Sequence, residues 1–182
     1  MKGGENMRLF IALPVSADAR RALGKTQDAL RQKGVKGRLS PPENLHVTLC
    51  FLGNVKDPAP AIAAMKSVPV PKTALRFDRL TLFGDVAVAL LKQDTALSDY
   101  VRRLRVSLDD AGVGYDRQAF RPHVTLCRKT ALPYPSFRLS AAAKPLAGMS
   151  LSVFETRLMA SDLTGPTPKY TVLFRKRPAR KK

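Results

Sequence analysis

The pentapeptide His-Val-Thr-Leu-Cys occurs twice in this chain, at His46–Cys50 and His123–Cys127, 77 residues apart. These two copies hold the only two histidines and the only two cysteines of the 182 residues. On an extended chain residues i and i+2 share a face. Val47 and Leu49 therefore point one way, as do Val124 and Leu126, and His46 with Thr48 and His123 with Thr125 point the other. The imidazole and the hydroxyl of each copy lie roughly 6.6 Å apart along such a strand. A chain that repeats one two-faced strand is constrained to bury two apolar faces and to present two polar ones.

The surrounding residues repeat in the same order. Arg8–Pro14 is a short apolar run closed by proline, which predicts a buried strand. Ser16 is a suitable cap for a helix whose Ala19, Ala22, Leu23, Thr26, Ala29 and Leu30 share one stripe, with Gly34 as its stop. A polar loop over Lys36–Asn44 leads into the first pentapeptide, which runs on through Phe51-Leu52 to Gly53-Asn54. The second half follows suit. Val86–Leu91 is β-like, Asp94 caps a helix striped by Leu97, Val101, Leu104, Leu108 and Ala111, and Gly112 and Gly114 end it. A polar loop over Tyr115–Pro122 precedes the second pentapeptide.

Asp57–Ser67 predicts a short helix, and Lys72–Phe83, Leu151–Ala160 and Tyr170–Phe174 predict further strands. The pattern predicts an α+β fold: bilobal, with two pseudo-symmetric lobes, each with an antiparallel-type sheet and outer helices, around a central cleft. The division expected is a disordered leader at 1–6, one domain over 7–175 and a basic tail at 176–182.

Charge narrows the partners. Lys and Arg number 32 against 14 Asp and Glu, a formal net charge of +18, spread along the chain. That excess favours a polyanion, with nucleic acid ahead of a membrane surface. No apolar run of roughly 18 residues is present, and no apolar signal core follows Lys2. A monomer in the cytoplasm with reduced thiols, and with no obligate protein partner, is the expectation.

Two imidazoles on one surface suit in-line displacement at phosphorus. One, neutral, takes a proton from the attacking water, and the other, protonated, gives one to the leaving oxygen. Thr48 and Thr125 can donate hydrogen bonds to the non-bridging oxygens. The scheme needs no metal and no cofactor. Two His and two Cys also form a zinc-like inventory, but His46 and Cys50 would stand about 13 Å apart on a regular strand, too far to ligate one ion. Cys50 and Cys127 are expected instead to line the deeper end of the catalytic face.

His46-Val47-Thr48-Leu49 and His123-Val124-Thr125-Leu126 resemble the paired His-x-Thr/Ser-x motifs of the 2H phosphoesterase superfamily. Arg8–Pro14, Phe51-Leu52-Gly53, Phe120-Arg121-Pro122 before the second motif, Arg128 after it, and Leu158–Tyr170 resemble its RNA 2′,3′-cyclic phosphodiesterase branch (LigT-like, ThpR). The resemblance spans roughly residues 7–175. It implies hydrolysis of an RNA 2′,3′-cyclic phosphate to a 2′-phosphomonoester, with 2′–5′ ligation of RNA as the reverse kind of reaction. It implies His46 as proton donor and His123 as proton acceptor. Cysteine at positions 50 and 127 departs from the pattern.

Arg121, Arg128 and Lys129 flank the second motif as candidates for phosphate. By strict alternation Arg128 leaves the catalytic face unless a bulge or strand end restores it. Phe10, Phe51, Phe120, Tyr115 and Tyr170 are candidates to stack on a base. Two other readings stand beside the first: a phosphodiesterase for small cyclic nucleotides or 2′–5′ oligoadenylates, and an RNA-binding protein without turnover.

Overall fold

Local sequence accounts for most elements of the computed structural model, which describes residues 6–179. Strand β1 (Met7–Pro14) is buried from Leu9 onward. The Ser16 hydroxyl accepts from the Ala19 amide and caps α1 (Ala17–Gln32), whose buried stripe includes Ala19, Ala22, Leu23, Thr26 and Leu30. Gly34 then turns the chain with φ 84°. The Asp94 carboxylate accepts from the Leu97 amide at 2.8 Å and starts α3 (Thr95–Asp110), with Leu97, Tyr100, Val101, Leu104 and Leu108 buried. Between these helices lie β2 (Lys36–Leu39), β3 (His46–Val55), α2 (Ala59–Ser67), β4 (Ala74–Phe83) and β5 (Val86–Leu91). After them come β6 (His123–Ala131), β7 (Ser150–Ser152), β8 (Thr156–Asp162) and β9 (Lys169–Lys176).

The strands form a curled antiparallel sheet in the order β7-β4-β5-β6-β3-β1-β8-β9, with β2 added to β6. That order is two like halves back to back, β6-β5-β4-β7 and β3-β1-β8-β9, so β6 corresponds to β3 and β5 to β1. The halves are joined through one residue pair, Val47 opposite Val124. Each long helix crosses over: α1, from the first half, contacts β6, and α3, from the second, contacts β3. Val47, Val124 and Leu126 are fully buried and Leu49 nearly so, which makes the inner faces of both histidine strands part of the core.

Two segments depart from the expected pattern. Lys36–Asn44 is not a plain polar loop. Lys36, Arg38 and Leu39 pair with Ala131, Arg128 and Cys127, and Pro42–Asn44 forms a 3-10 turn. The edge of β6 beyond its one contact with β3 needs partners for its backbone groups, and β2 supplies them from far away in sequence. Leu151–Ala160 is not one strand but two, broken around Val153–Glu155. The Val153 amide donates to the Thr73 carbonyl, and Glu155, buried, pairs with Arg157 and Arg177.

The leader expected at 1–6 falls outside the described residues except for Asn6, and the tail is described only to Ala179. Lys176 is still strand, and its ammonium donates to the carbonyls of Met65, Lys66 and Val68 at the end of α2. Among the described residues no helix is long and apolar enough to cross a membrane.

Candidate active site

The Val47–Val124 pair sets the register of the site. In an antiparallel pair the neighbours on either side also face each other, so His46 stands opposite Thr125 and Thr48 opposite His123. Cross-strand Cβ atoms of such residues lie about 4.5–5.5 Å apart. All four side chains line one cavity of about 500 Å³, together with Arg8, Phe10, Arg38, Phe51, Phe83, Arg128 and Tyr170. Among the described residues no carboxylate lines it.

Both rings are held the same way. His46 Nδ1 lies 2.7 Å from the Asn44 carbonyl, and His123 Nδ1 lies 2.6 Å from the Arg121 carbonyl. A carbonyl only accepts, so each Nδ1 carries a proton and each Nε2 is left for chemistry. His46 Nε2 is 3.0 Å from the Thr48 hydroxyl, which donates to it when the ring is neutral. Phe10 and Tyr170 pack on the His46 ring at centroid distances of 4.9 and 5.5 Å, and Phe83 packs edge-on against His123 at 5.0 Å.

Burial lowers the His46 pKa to about 4, and the charges of Arg128 and His123 push the same way against the Asn44 carbonyl. The His123 pKa is also lowered, first by burial and then by the charges of Arg121 and Arg128. The free protein thus holds its imidazoles neutral at pH 7, in a basic cavity ready for an anion. A consequence for stability follows. Below pH 6.5 the unfolded chain binds a proton at His46 that the folded chain refuses, so stability falls from pH 6.5 to about 4. A loss of about 3 kcal/mol is expected across that window. Denaturant unfolding of His46→Gln at pH 7 and pH 4.5 should show a much shallower drop than the parent. An equal drop in both proteins would contradict the assignment.

A bulge completes the site. One step on β1, from Ile11 to Ala12, spans Cys50 to Thr48 on β3, and one step on β5, from Ala87 to Val88, spans Cys127 to Thr125 on β6. Each pentapeptide therefore carries an extra residue at its Leu-Cys step. The alternation resets, and the residue five places after each histidine returns to the cavity: Phe51 in one copy, Arg128 in the other. The Leu126 carbonyl at the second bulge accepts from the Ser40 amide and from the buried Gln27 side chain on α1.

The same bulge corrects the expectation for the cysteines. Cys50 and Cys127 are free and buried, and neither lines the central cavity; Cys127 lines no part of the site, while Cys50 lines an adjoining basin. Burial pushes the Cys50 thiol up to about 11, while Arg105 opposes the shift.

The other candidates divide. Phe10, Phe51 and Tyr170 line the central cavity. Arg121 stacks on Phe83, 4.3 Å from the ring centroid, and with Phe120 lines a second basin of about 560 Å³. That basin adjoins the first along Thr48, Phe51, Phe83 and His123. Tyr115 lies away from both, bonded to Asp109 and covered by Arg117. Lys129 is exposed, with φ 52°, and lines neither. Three residues of the cavity wall, Arg8, Arg38 and Phe83, are not among the candidates that the motifs suggest. Arg8 is legible in the sequence, because it shares a strand face with Phe10; Arg38 and Phe83 reach the cavity only through distant strand pairing.

A family model described as LigT like phosphoesterase matches residues 13–89. The chain is 27% identical to an RNA 2′,3′-cyclic phosphodiesterase of Geobacillus stearothermophilus, over 90% of this chain and 55% of that one. It thus spans little more than half of that relative. It is 28% identical to an RNA 2′,3′-cyclic phosphodiesterase of Aeropyrum pernix, over 84% of this chain and 92% of that one. Among solved structures, E. coli LigT complexed with 3′-AMP superposes with a TM-score of 0.71 at 26% identity, covering 97% of this chain and all of that one. The family match spans the first histidine motif, and the second motif lies beyond it, at residues 123–127.

Proposed function

We propose that the protein hydrolyses RNA 2′,3′-cyclic phosphate ends to 2′-phosphomonoesters, with His46 as proton donor and His123 as proton acceptor. The observation that carries this is the Val47–Val124 register, which brings both imidazole–hydroxyl pairs to one basic cavity. The relatives named as RNA 2′,3′-cyclic phosphodiesterases and the 3′-AMP-bound neighbour support it.

The substrate phosphate is an anion, and held between the rings it offsets the burial and arginine charge that lower His46. His46 therefore takes up its proton with the substrate. His123 removes a proton from water on one side of phosphorus. His46 Nε2 protonates the 3′ oxygen as that bond breaks on the other, and the 2′ bond is kept. Thr48, Thr125 and Arg128 hold the non-bridging oxygens as charge grows on them. A 5′-hydroxyl of a second RNA, entering the basin beside His123 in place of water, would turn the same step into a 2′–5′ ligation. All these groups come from one chain.

The test is incubation of an oligonucleotide bearing a 2′,3′-cyclic phosphate with the protein in EDTA. Release of a 2′-monoester at the rate seen without EDTA is the expected result. A 3′-monoester would reverse the roles assigned around phosphorus. Binding without turnover would replace the enzyme by an RNA-binding protein.

A further inference from the structure

Arg38 on β2 stands directly opposite Arg128 on β6. Like charges at such cross-strand positions repel and are expected to destabilise the sheet. Both side chains line the central cavity, and both line a narrow side pocket beside it with Ser40, Asn44, His46 and Thr125. Among the described residues neither arginine forms an ion pair, and no carboxylate lines the side pocket. The Arg38 guanidinium reaches a single carbonyl, that of Pro166, at 3.4 Å. Two unneutralised cations kept side by side are the mark of a site completed by an anion.

The two arginines are not equivalent. Arg128 lies on the strand that carries His123 and Thr125 and lines the cavity with all four motif side chains, so it faces the scissile phosphate. Arg38 lies one strand further out, on β2, and reaches toward the Pro166 carbonyl while sharing the cavity wall. It also lies at the His46 end, since the side pocket contains His46 and Thr125 but not His123. That end is where the leaving 3′ oxygen points. The ribose carbons leading to its own 5′ phosphate continue from that oxygen.

We infer that Arg38 is a specificity residue that holds the phosphodiester immediately 5′ of the cyclic end, so that an RNA terminus is favoured over a free cyclic mononucleotide. The inference rests on the phosphodiesterase reading. The shared anion offsets the repulsion between Arg38 and Arg128, and a mononucleotide without a 5′ phosphate leaves it in place.

The experiment compares kcat/KM for a dinucleotide ending in a 2′,3′-cyclic phosphate with that for the cyclic mononucleotide, in the parent, Arg38→Gln and Arg38→Lys. The ratio of the two values should fall by about tenfold in Arg38→Gln, the worth of one charge-assisted hydrogen bond, and be largely kept in Arg38→Lys. In buffer without phosphate, Arg38→Gln should melt about 1–3 °C above the parent, because the repulsion is gone. A purely structural arginine would give the opposite shift. An unchanged ratio, or a lower Tm in Arg38→Gln, overturns the inference. If the parent hydrolyses neither substrate, the phosphodiesterase reading itself fails.

Discussion

Alanine at His46 or at His123 is expected to lower kcat by about 10²–10⁴, with the fold intact. The two rings serve one step from opposite sides of phosphorus, so the losses should not add: the double variant should be little worse than the weaker single one. The pH profile separates the roles. The parent should give a bell-shaped curve for kcat. His123→Ala removes the group that must be unprotonated, so its acid limb flattens. His46→Ala removes the group that must be protonated, and its alkaline limb flattens. Circular dichroism and a thermal melt check that neither change unfolds the chain, which matters most for His46, packed between Phe10 and Tyr170. Activity within tenfold of the parent in either variant would remove that histidine from the mechanism.

Gly37→Ala is expected to destabilise the protein by about 3 kcal/mol or more, through a clash that no side-chain movement relieves. Gly37 sits in β2 with φ +143°, a conformation that side chains rarely adopt. A Cβ there would stand 2.5 Å from Cys127 Sγ and 2.9 Å from the carbonyl oxygens of Arg128 and Lys129. The carbonyls belong to β6, so relief requires β2 to lift off that strand. The melting temperature should fall by about 6–12 °C. Cys127→Ala in the same background should restore little, because the carbonyl contacts remain. A Tm within about 2 °C of the parent would show that the β2–β6 contact is looser than described. Turnover of the surviving folded protein should fall as well, since Arg38 and Arg128 meet across that ladder.

Much of the site is legible in the order of the residues. His46, Thr48, His123 and Thr125 face one cavity because alternation on a strand is a local rule, and Val47, Leu49, Val124 and Leu126 are buried for the same reason. The capped helices follow from Ser16 and Asp94, whose side chains bond to amides three residues on. Alternation fails at the Leu-Cys step of each copy. Past Thr48 and Thr125 the bulges restart it, which brings in Arg128 and Phe51 and takes out Cys50 and Cys127. A bulge is imposed by the neighbouring strand, so the pentapeptide alone gives no sign of it. Lys36–Leu39 has the composition of a loop and becomes a strand for a similar reason: the edge of β6 is open beside it.

The amino-acid order alone determined which residues could carry the chemistry, because a duplicated imidazole–hydroxyl pattern and the helices around it depend only on near neighbours. Which of those residues share a cavity, how their protons are held, and why two arginines face each other were decided by strand register and by contacts spanning about a hundred residues. Such pairings depend on the whole sheet closing at once, and no window of the sequence contains them.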